Sequence, residues 1–407
     1  MTDATGQYDL AHPRDHARVR SLADELLADH VADEDLTALG RSDDTPFDLR
    51  LATKAAQSRR AVVESGWAGR LAVVFAMWGE QRRLRPRTPA NPTGEDALHT
   101  KLDQLDWLFA DTEVHWTVVP VDDGDPEDSA VVAEQRAARH RRGDRVRVLR
   151  LGDAVPADDG PLAGLADVDD SRKGGAIVHG AATAVADDAD AVLMTDADNS
   201  VDLAQAGLLV SPYASGRAGV AIGDRKHPDA VLVKAEARWG PGIVVLRHMQ
   251  RMVGRALFGQ GLRDTQAAFK LYGREALDDI LAAPSTYGFA FDSDWLYASV
   301  AGGHAIERVP FAFVDSFEES ASITQGPMTT WESLLRGLVA AARARGADHD
   351  EAMAAVVDDH ADAAELQQVV QRMPPELDGA ADADLGDPDV MSPAALRAWL
   401  ESLPSRP

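Results

Sequence analysis

The chain has 407 residues, 45% of them hydrophobic, enough apolar material for two or three globular domains. Its 41 basic and 67 acidic side chains leave a net charge of −26, so an evenly charged surface repels nucleic acid and anionic membrane, and any polyanion contact has to be local. Without cysteine there is no disulfide, thiolate nucleophile or cysteine-ligated zinc, and with neither a signal-peptide pattern nor an apolar run long enough to span a bilayer, the expected address is cytoplasmic, soluble or peripheral at a membrane.

From Pro13 to about Ser65 apolar residues recur at helical spacing (Val19, Leu22, Leu26, then Leu51, Ala55, Val62), with breaks at Gly40 and Pro46 and no catalytic pattern. From Gly69 the texture becomes strands alternating with helices, which predicts an α/β layered domain. The first strand is Leu71–Ala76, and a Pro-rich stretch, Arg85–Gly94, follows it. A helix through Leu102, Leu105 and Leu108 leads to a second strand, Val114–Val121, which runs into Asp122-Asp123-Gly124. A third strand, Val146–Leu151, precedes Lys173-Gly174-Gly175 at a helix start, and a fourth, Ala191–Thr195, ends in Asp196-Ala197-Asp198.

In an extended chain residues i and i+2 face the same way, so Asp196 and Asp198 can converge on one hard divalent cation while Ala197 turns inward. Alone, an Asp-x-Asp in so acidic a chain is more often a solvated surface pair. Its order among the other turns carries more weight. Ligands bind at the carboxyl ends of parallel strands, so the turns after strands one, two and four (Trp78-Gly79-Glu80, Asp122-Asp123-Gly124 and Asp196-Ala197-Asp198) should meet in one cleft. Downstream, Gly219–Arg225 reads as a strand and turn. Between Val231 and Arg263 the sign of the charge reverses, with Lys234, Arg238, Arg247, Arg251, Arg255 and Arg263 against Glu236 alone. Arg247, Arg251 and Arg255 fall on one helical face, either solvated or a dock for an anionic group.

The ordered set resembles family 2 glycosyltransferases of GT-A fold, closest to the dolichyl-phosphate glucose and mannose synthases, over roughly residues 70 to 340. Val73–Glu80 is similar to the family's Val-Val-Ile-Pro-Ala-Tyr-Asn-Glu start, with Ala76 for Pro and Gly79 for Asn. Asp122-Asp123-Gly124 matches its Asp-Asp-Gly-Ser turn, with Asp125 for Ser. Lys173-Gly174-Gly175-Ala176 matches Gly-Lys-Gly-Gly-Ala, with Arg172 for the first Gly, and Gly223-Asp224-Arg225 resembles Gly-Ser-Arg. Arg263-Asp264-Thr265-Gln266-Ala267-Ala268-Phe269-Lys270 is very similar to the Arg-Asp-Thr-Gln-Cys-Gly-Phe-Lys block of the dolichyl-phosphate glucose synthases.

The resemblance implies a Rossmann-like mixed or parallel sheet flanked by helices; the helical segments read at both ends lie outside it. The expected boundaries are an N-terminal helical extension (1–68), a glycosyltransferase domain (69–345, with a nucleotide-sugar half, 69–225, and an acceptor half, 226–345) and an acidic helical tail (346–407). In the tail, Asp378–Asp389 reads as a flexible linker and Ser392-Pro393 as a helix start.

It further implies inverting transfer of a hexose from UDP-glucose or GDP-mannose, with Mg²⁺ or Mn²⁺ at Asp198 and Asp196. Ala76, Trp78, Glu80, Asp122, Asp123, Lys173, Gly174, Asp196 and Ala197 would bind the donor, and Arg225 would assist at the phosphates. A phosphate acceptor carries its own nucleophilic oxygen and needs cations, for which Arg247, Arg251, Arg255, Arg263 and Gln266 are the candidates. A hydroxyl acceptor needs a general base, and Asp292 or Asp294 is nearest. The partners expected are therefore a nucleotide-sugar donor and a phosphorylated lipid or small molecule, with peripheral membrane contact and a homo-oligomer both compatible and nucleic acid not. Transfer to a soluble hydroxyl acceptor, or a non-catalytic sugar-nucleotide scaffold, are the alternatives.

Overall fold

In the computed structural model, residues 8–171, 173–233, 240–315 and 327–403 are described; Arg172, Lys234, Glu236 and Arg238 lie outside them. Strand β1 (Arg70–Met77) is apolar on every inward position and is an interior strand of a seven-stranded sheet. Its two faces read separately: Leu71, Val73, Phe75 and Met77 enter one apolar cluster, Ala72 and Val74 the other. Such near-continuous apolar runs belong to strands covered on both sides. The other members are β2 (His115–Asp122), β3 (Leu149–Arg150), β4 (Ala191–Thr195), β5 (Val220–Gly223), β7 (Phe269–Gly273) and β8 (Ile306–Val309), in the order β3-β2-β1-β4-β7-β5-β8.

Only β7 runs against its neighbours, β4 and β5, and all other pairings are parallel. The carboxyl ends of β1, β2, β4 and β5 therefore share one edge with the amino end of β7. A separate pair, β6 (Val231–Val233) and β9 (Ala312–Val314), is also parallel. The expected α/β class, with a mixed sheet flanked by helices and helical additions at both ends, is the one found. The third strand is shorter than its apolar run suggested: Val146 makes one bridge to Val118, and only residues 149–150 form a ladder.

Helices α4 (Ala97–Leu108), α5 (Ser129–Ala137) and α7 (Ala206–Ala214) lie on one side of the sheet. On the other are α6 (Gly174–Ala186), α8 (Ile243–Val253), α9 (Arg255–Phe258), α10 (Arg274–Ala282), α11 (Phe291–Ala301) and α12 (Pro327–Ala344). The N-terminal helices α1 (Pro13–Ala28), α2 (Asp33–Arg41) and α3 (Phe47–Ser65) build a cluster of their own that includes Ala204, Val231 and Ala312.

The tail helices α13 (Glu351–His360), α14 (Ala363–Val369) and α15 (Pro393–Glu401) join the larger core through Met353, Val357, Leu366, Val369, Leu396 and Leu400. Ser392 Oγ caps α15 on Ala395 N at 3.2 Å, as its position before Pro393 predicted. The acidic stretch 378–389 is packed rather than a free linker. Leu385 is buried, and Gly386 N donates to His248 Nδ1 at 3.0 Å.

Candidate active site

Each strand end on the shared edge contributes one turn, and the turns are tied to one another. Asp122 accepts from Gly124 N (3.0 Å), Asp125 N (2.9 Å) and Ala130 N (3.1 Å), so its carboxylate shapes its own turn and caps α5. Asp123 instead reaches across, taking bonds from Ser171 Oγ (2.5 Å) and Lys173 N (2.7 Å). Lys173 stands at φ +72°, a costly conformation for a side-chain-bearing residue, directly before α6. The glycine after it is needed for close approach: a Cβ on Gly174 would lie 2.6 Å from the Tyr287 carbonyl.

Held this way, the Lys173 ammonium pairs with the Asp196 carboxylate. Desolvation works against both charges, yet each keeps the other ionised, so Lys173 is held above and Asp196 below its ordinary pKa. Asp198 Oδ1 accepts from Ser200 N at 3.0 Å, and no protein donor to its second oxygen occurs among the described residues. Asp196 and Asp198 are both half-buried, while Ala197 is buried in the apolar cluster under the sheet edge.

This donor set fits a hard divalent cation. Each carboxylate keeps one oxygen free of protein donors, and among the described residues no third His, Asp or Glu completes a cage. Mg²⁺ is commonly held in just this fashion, by one or two carboxylates with substrate phosphates filling the sphere.

At the end of β1, Ala76 is half-buried and Trp78 is 42% exposed, an apolar ring at the mouth of the cleft. Glu80 pairs with Arg83 Nη1 at 3.0 Å; burial and the nearby Asp198 raise its pKa, and Arg83 opposes the shift. Behind the aspartate turn lie buried groups that no sequence motif marked. Glu95 Oε2 accepts from Asn199 N at 2.9 Å, and Lys101 Nζ donates to the Asp198 carbonyl. Burial, together with the Asp198 charge, pushes Glu95 up to about 7. One signal for Lys101 was available: it sits within the Leu98, Leu102, Leu105 stripe, a cation on an apolar helix face.

Across the cleft, Arg225 grips Asp264 through Nε (2.7 Å), Nη2 (2.7 Å) and its backbone N (2.9 Å). Burial opposes that carboxylate, but these bonds hold Asp264 below the usual range. The two candidate bases are both committed. Asp292 pairs with the fully buried Lys270 at 2.6 Å, and Asp294, itself fully buried, with Arg345 at 2.8 Å and Ser285 Oγ at 2.6 Å.

The arginine set divides. Helix α8 stops at Gly254, so Arg247 and Arg251 share a helix while Arg255 begins the next one. Arg251 is 3% exposed and paired with Asp382 of the tail at 2.7 Å, and Arg255 is paired with Asp350 at 3.0 Å. Arg247 and Arg263 are half-buried, with no carboxylate partner among the described residues. The exposed Lys226 stands beside them, its Nζ on the Arg263 carbonyl at 2.7 Å. Gln266 is half-buried, with long 3.4 Å contacts to Thr265 and Ser293.

No family model matches the chain. Among curated proteins it is 26% identical to polyprenol monophosphomannose synthase of Mycolicibacterium smegmatis, over 50% of this chain and 68% of that one. It is also 26% identical to dolichyl-phosphate beta-glucosyltransferase of Homo sapiens, over 64% and 72%. Glucosyl-3-phosphoglycerate synthase of Mycobacterium tuberculosis, solved with Mn²⁺, UDP-glucose and phosphoglyceric acid, superposes with TM-score 0.47 at 16% identity, over 73% of this chain and 85% of that one. Mannosyl-3-phosphoglycerate synthase of Rubrobacter xylanophilus gives TM-score 0.47 at 14% identity, over 72% and 80%. The resemblance read from the motifs is matched by relatives that carry the names of polyprenyl-phosphate hexose synthases.

Proposed function

We propose that this protein is a metal-dependent, inverting glycosyltransferase that moves a hexosyl group from a nucleoside diphosphate sugar to a phosphate-bearing acceptor such as a polyprenyl phosphate. The observation that carries the reading is a division of charge. The aspartates at the β4 end keep oxygens free for a cation, whereas the acidic side chains that could act as a base are locked in buried ion pairs.

Asp198 and Asp196 would hold Mg²⁺ or Mn²⁺, which when bound supplies Lewis-acid stabilisation of the departing nucleoside diphosphate. Lys173, fixed by Asp123 and Asp196, supplies a further cation on the donor side. Trp78 offers a face for the base, with Ala76, Glu80, Asp122, Asp123 and Gly174 shaping the donor pocket. The acceptor phosphate would bind at Arg247 and Arg263, with Lys226 added to the original set. A phosphate monoester near neutrality already bears an anionic oxygen, so no side chain needs to take a proton.

The test is transfer from UDP-glucose and GDP-mannose, with Mn²⁺, to polyprenyl phosphate in detergent and to non-phosphorylated alcohols. Transfer to the phosphate alone supports the proposal. Transfer to the plain alcohols alone, or turnover of neither donor with any acceptor, refutes it.

A further inference from the structure

Asn199 directly follows the aspartate pair, is 1% exposed, and joins three parts of the chain. Its backbone N donates to Glu95 Oε2 at 2.9 Å, and its side-chain Nδ2 donates to the Glu95 carbonyl and to the Leu10 carbonyl, each at 3.1 Å. Leu10 lies in the segment leading into α1. Its carbonyl also faces His16 Nε2 at 2.8 Å, which makes Nε2 the protonated nitrogen. His16 Nδ1 is then the acceptor for Tyr8 Oη (3.0 Å) and Gln104 Nε2 (3.3 Å), and Gln104 Oε1 in turn takes Leu203 N at 3.0 Å. Tyr8 packs edge-on to both His16 and Phe47. One carbonyl of the N-terminal segment is therefore anchored on one side by this buried network and on the other by the residue next to Asp198.

We propose that Asn199 is a positioning residue: its side chain fastens the Asp196-Ala197-Asp198 turn to Leu10, which makes the N-terminal helices part of the support of the cation site. The inference rests on reading Asp198 as a ligand of that cation. Asp198 is otherwise held by Ser200 N and by Lys101 Nζ on its carbonyl. The Asn199 backbone N is tied to Glu95 Oε2, and the Asn199 side chain adds the tie from this turn to Leu10. Groups that orient a ligand without touching the metal have a known weight: losing one lowers metal affinity by about 10–100-fold.

The experiment uses the full-length chain and reads Mn²⁺ binding by calorimetry, alone and with UDP or GDP, beside backbone hydrogen exchange. In the wild type, Mn²⁺ with the nucleotide should slow exchange in the Ala11–Arg20 segment. Asn199→Ala should raise the Mn²⁺ dissociation constant about tenfold or more and abolish that distant protection. Should the alanine variant not fold, Asn199→Ser, with one short donor, is judged by the same limits. A variant that melts earlier but keeps Mn²⁺ affinity within about twofold of wild type, a change smaller than orienting groups produce, overturns the proposal and leaves Asn199 a structural plug. Asp198→Asn identifies a different failure: if it binds Mn²⁺ as the wild type does, the cation site is misassigned and this inference falls with it.

Discussion

Replacing Asp294 by Asn tests the acceptor chemistry through stability as well as rate. The Asp294 carboxylate receives bonds from Ser285 N (3.0 Å), Ser285 Oγ (2.6 Å), Arg345 Nε (2.8 Å) and Arg345 Nη2 (3.1 Å), with its side chain 0% exposed and that of Arg345 14%. Asn preserves the volume, removes one acceptor oxygen and leaves the guanidinium facing a neutral group. Breaking a buried pair from one side costs about 3–5 kcal/mol. Against a total stability of about 5–15 kcal/mol the chain stays folded, and its melting point falls by roughly 10 °C. Asp294→Asn with Arg345→Met removes both charges and should recover half or more of the loss, since an apolar replacement of a buried pair is often neutral. Calorimetric melting of the three variants measures this, beside transfer rates to a phosphate and to an alcohol. An unchanged melting point together with transfer slowed by about a hundredfold or more would refute the reasoning and make Asp294 the general base.

Chelation of divalent cations should weaken nucleotide-sugar binding by at least about tenfold in the wild type and have little effect on Asp198→Asn, because on the proposed assignment Asp198 would hold the cation that stabilises the diphosphate; equal binding with and without chelator contradicts the assignment. Burial holds the His248 pKa below its usual 6.5. The unfolded chain therefore takes up a proton that the native one refuses, and the stability His248 contributes is lost as pH falls below 6.5. Urea midpoints of wild type and His248→Gln should converge toward acid pH, and a gap that widens there defeats the account. Gly174→Ala forces a Cβ to within 2.6 Å of the Tyr287 carbonyl. The loop must give way at about 1–3 kcal/mol, with weaker donor binding at calorimetry, and an alanine variant as stable and tight-binding as wild type shows the contact to be soft.

The parallel half of the sheet was legible in the sequence because each strand is an apolar run that ends in a turn-forming or acidic residue, as at Thr195-Asp196 and Val121-Asp122. Local patterns also marked the start of α15 at Ser392-Pro393. They could not mark Arg345 as the partner of Asp294, or Asp382 as that of Arg251, since such pairs are made by packing segments far apart in the chain. Helical spacing predicted one face for Arg247, Arg251 and Arg255, but Gly254 ends the helix between the last two. The acidic stretch 378–389 reads as a linker by composition. Its placement depends on Leu385 and on the His248 bond to Gly386 N, neither of which stands out among so many aspartates.

The charge balance of the cleft also bears on which acceptor suits it. Arg225 is matched by Asp264, Lys270 by Asp292 and Arg345 by Asp294, each pair joined at 2.8 Å or less. For Asp292 or Asp294 to take a proton from a hydroxyl, its ion pair would have to open in every turnover, against about 3–5 kcal/mol. That penalty is as large as the gain general base catalysis usually brings, about 10²–10⁴ in rate. Arg247, Arg263 and Lys226 present a different case, half-buried or exposed cations with no direct carboxylate contact among the described residues, although the Asp382 charge acts on Arg247 and those of Asp264 and Asp382 on Lys226 from farther off. Cations without a carboxylate in direct contact leave room for an anion from outside the chain. A phosphate fits there and brings its own nucleophilic oxygen, so a single group satisfies both the charge and the chemistry of the site.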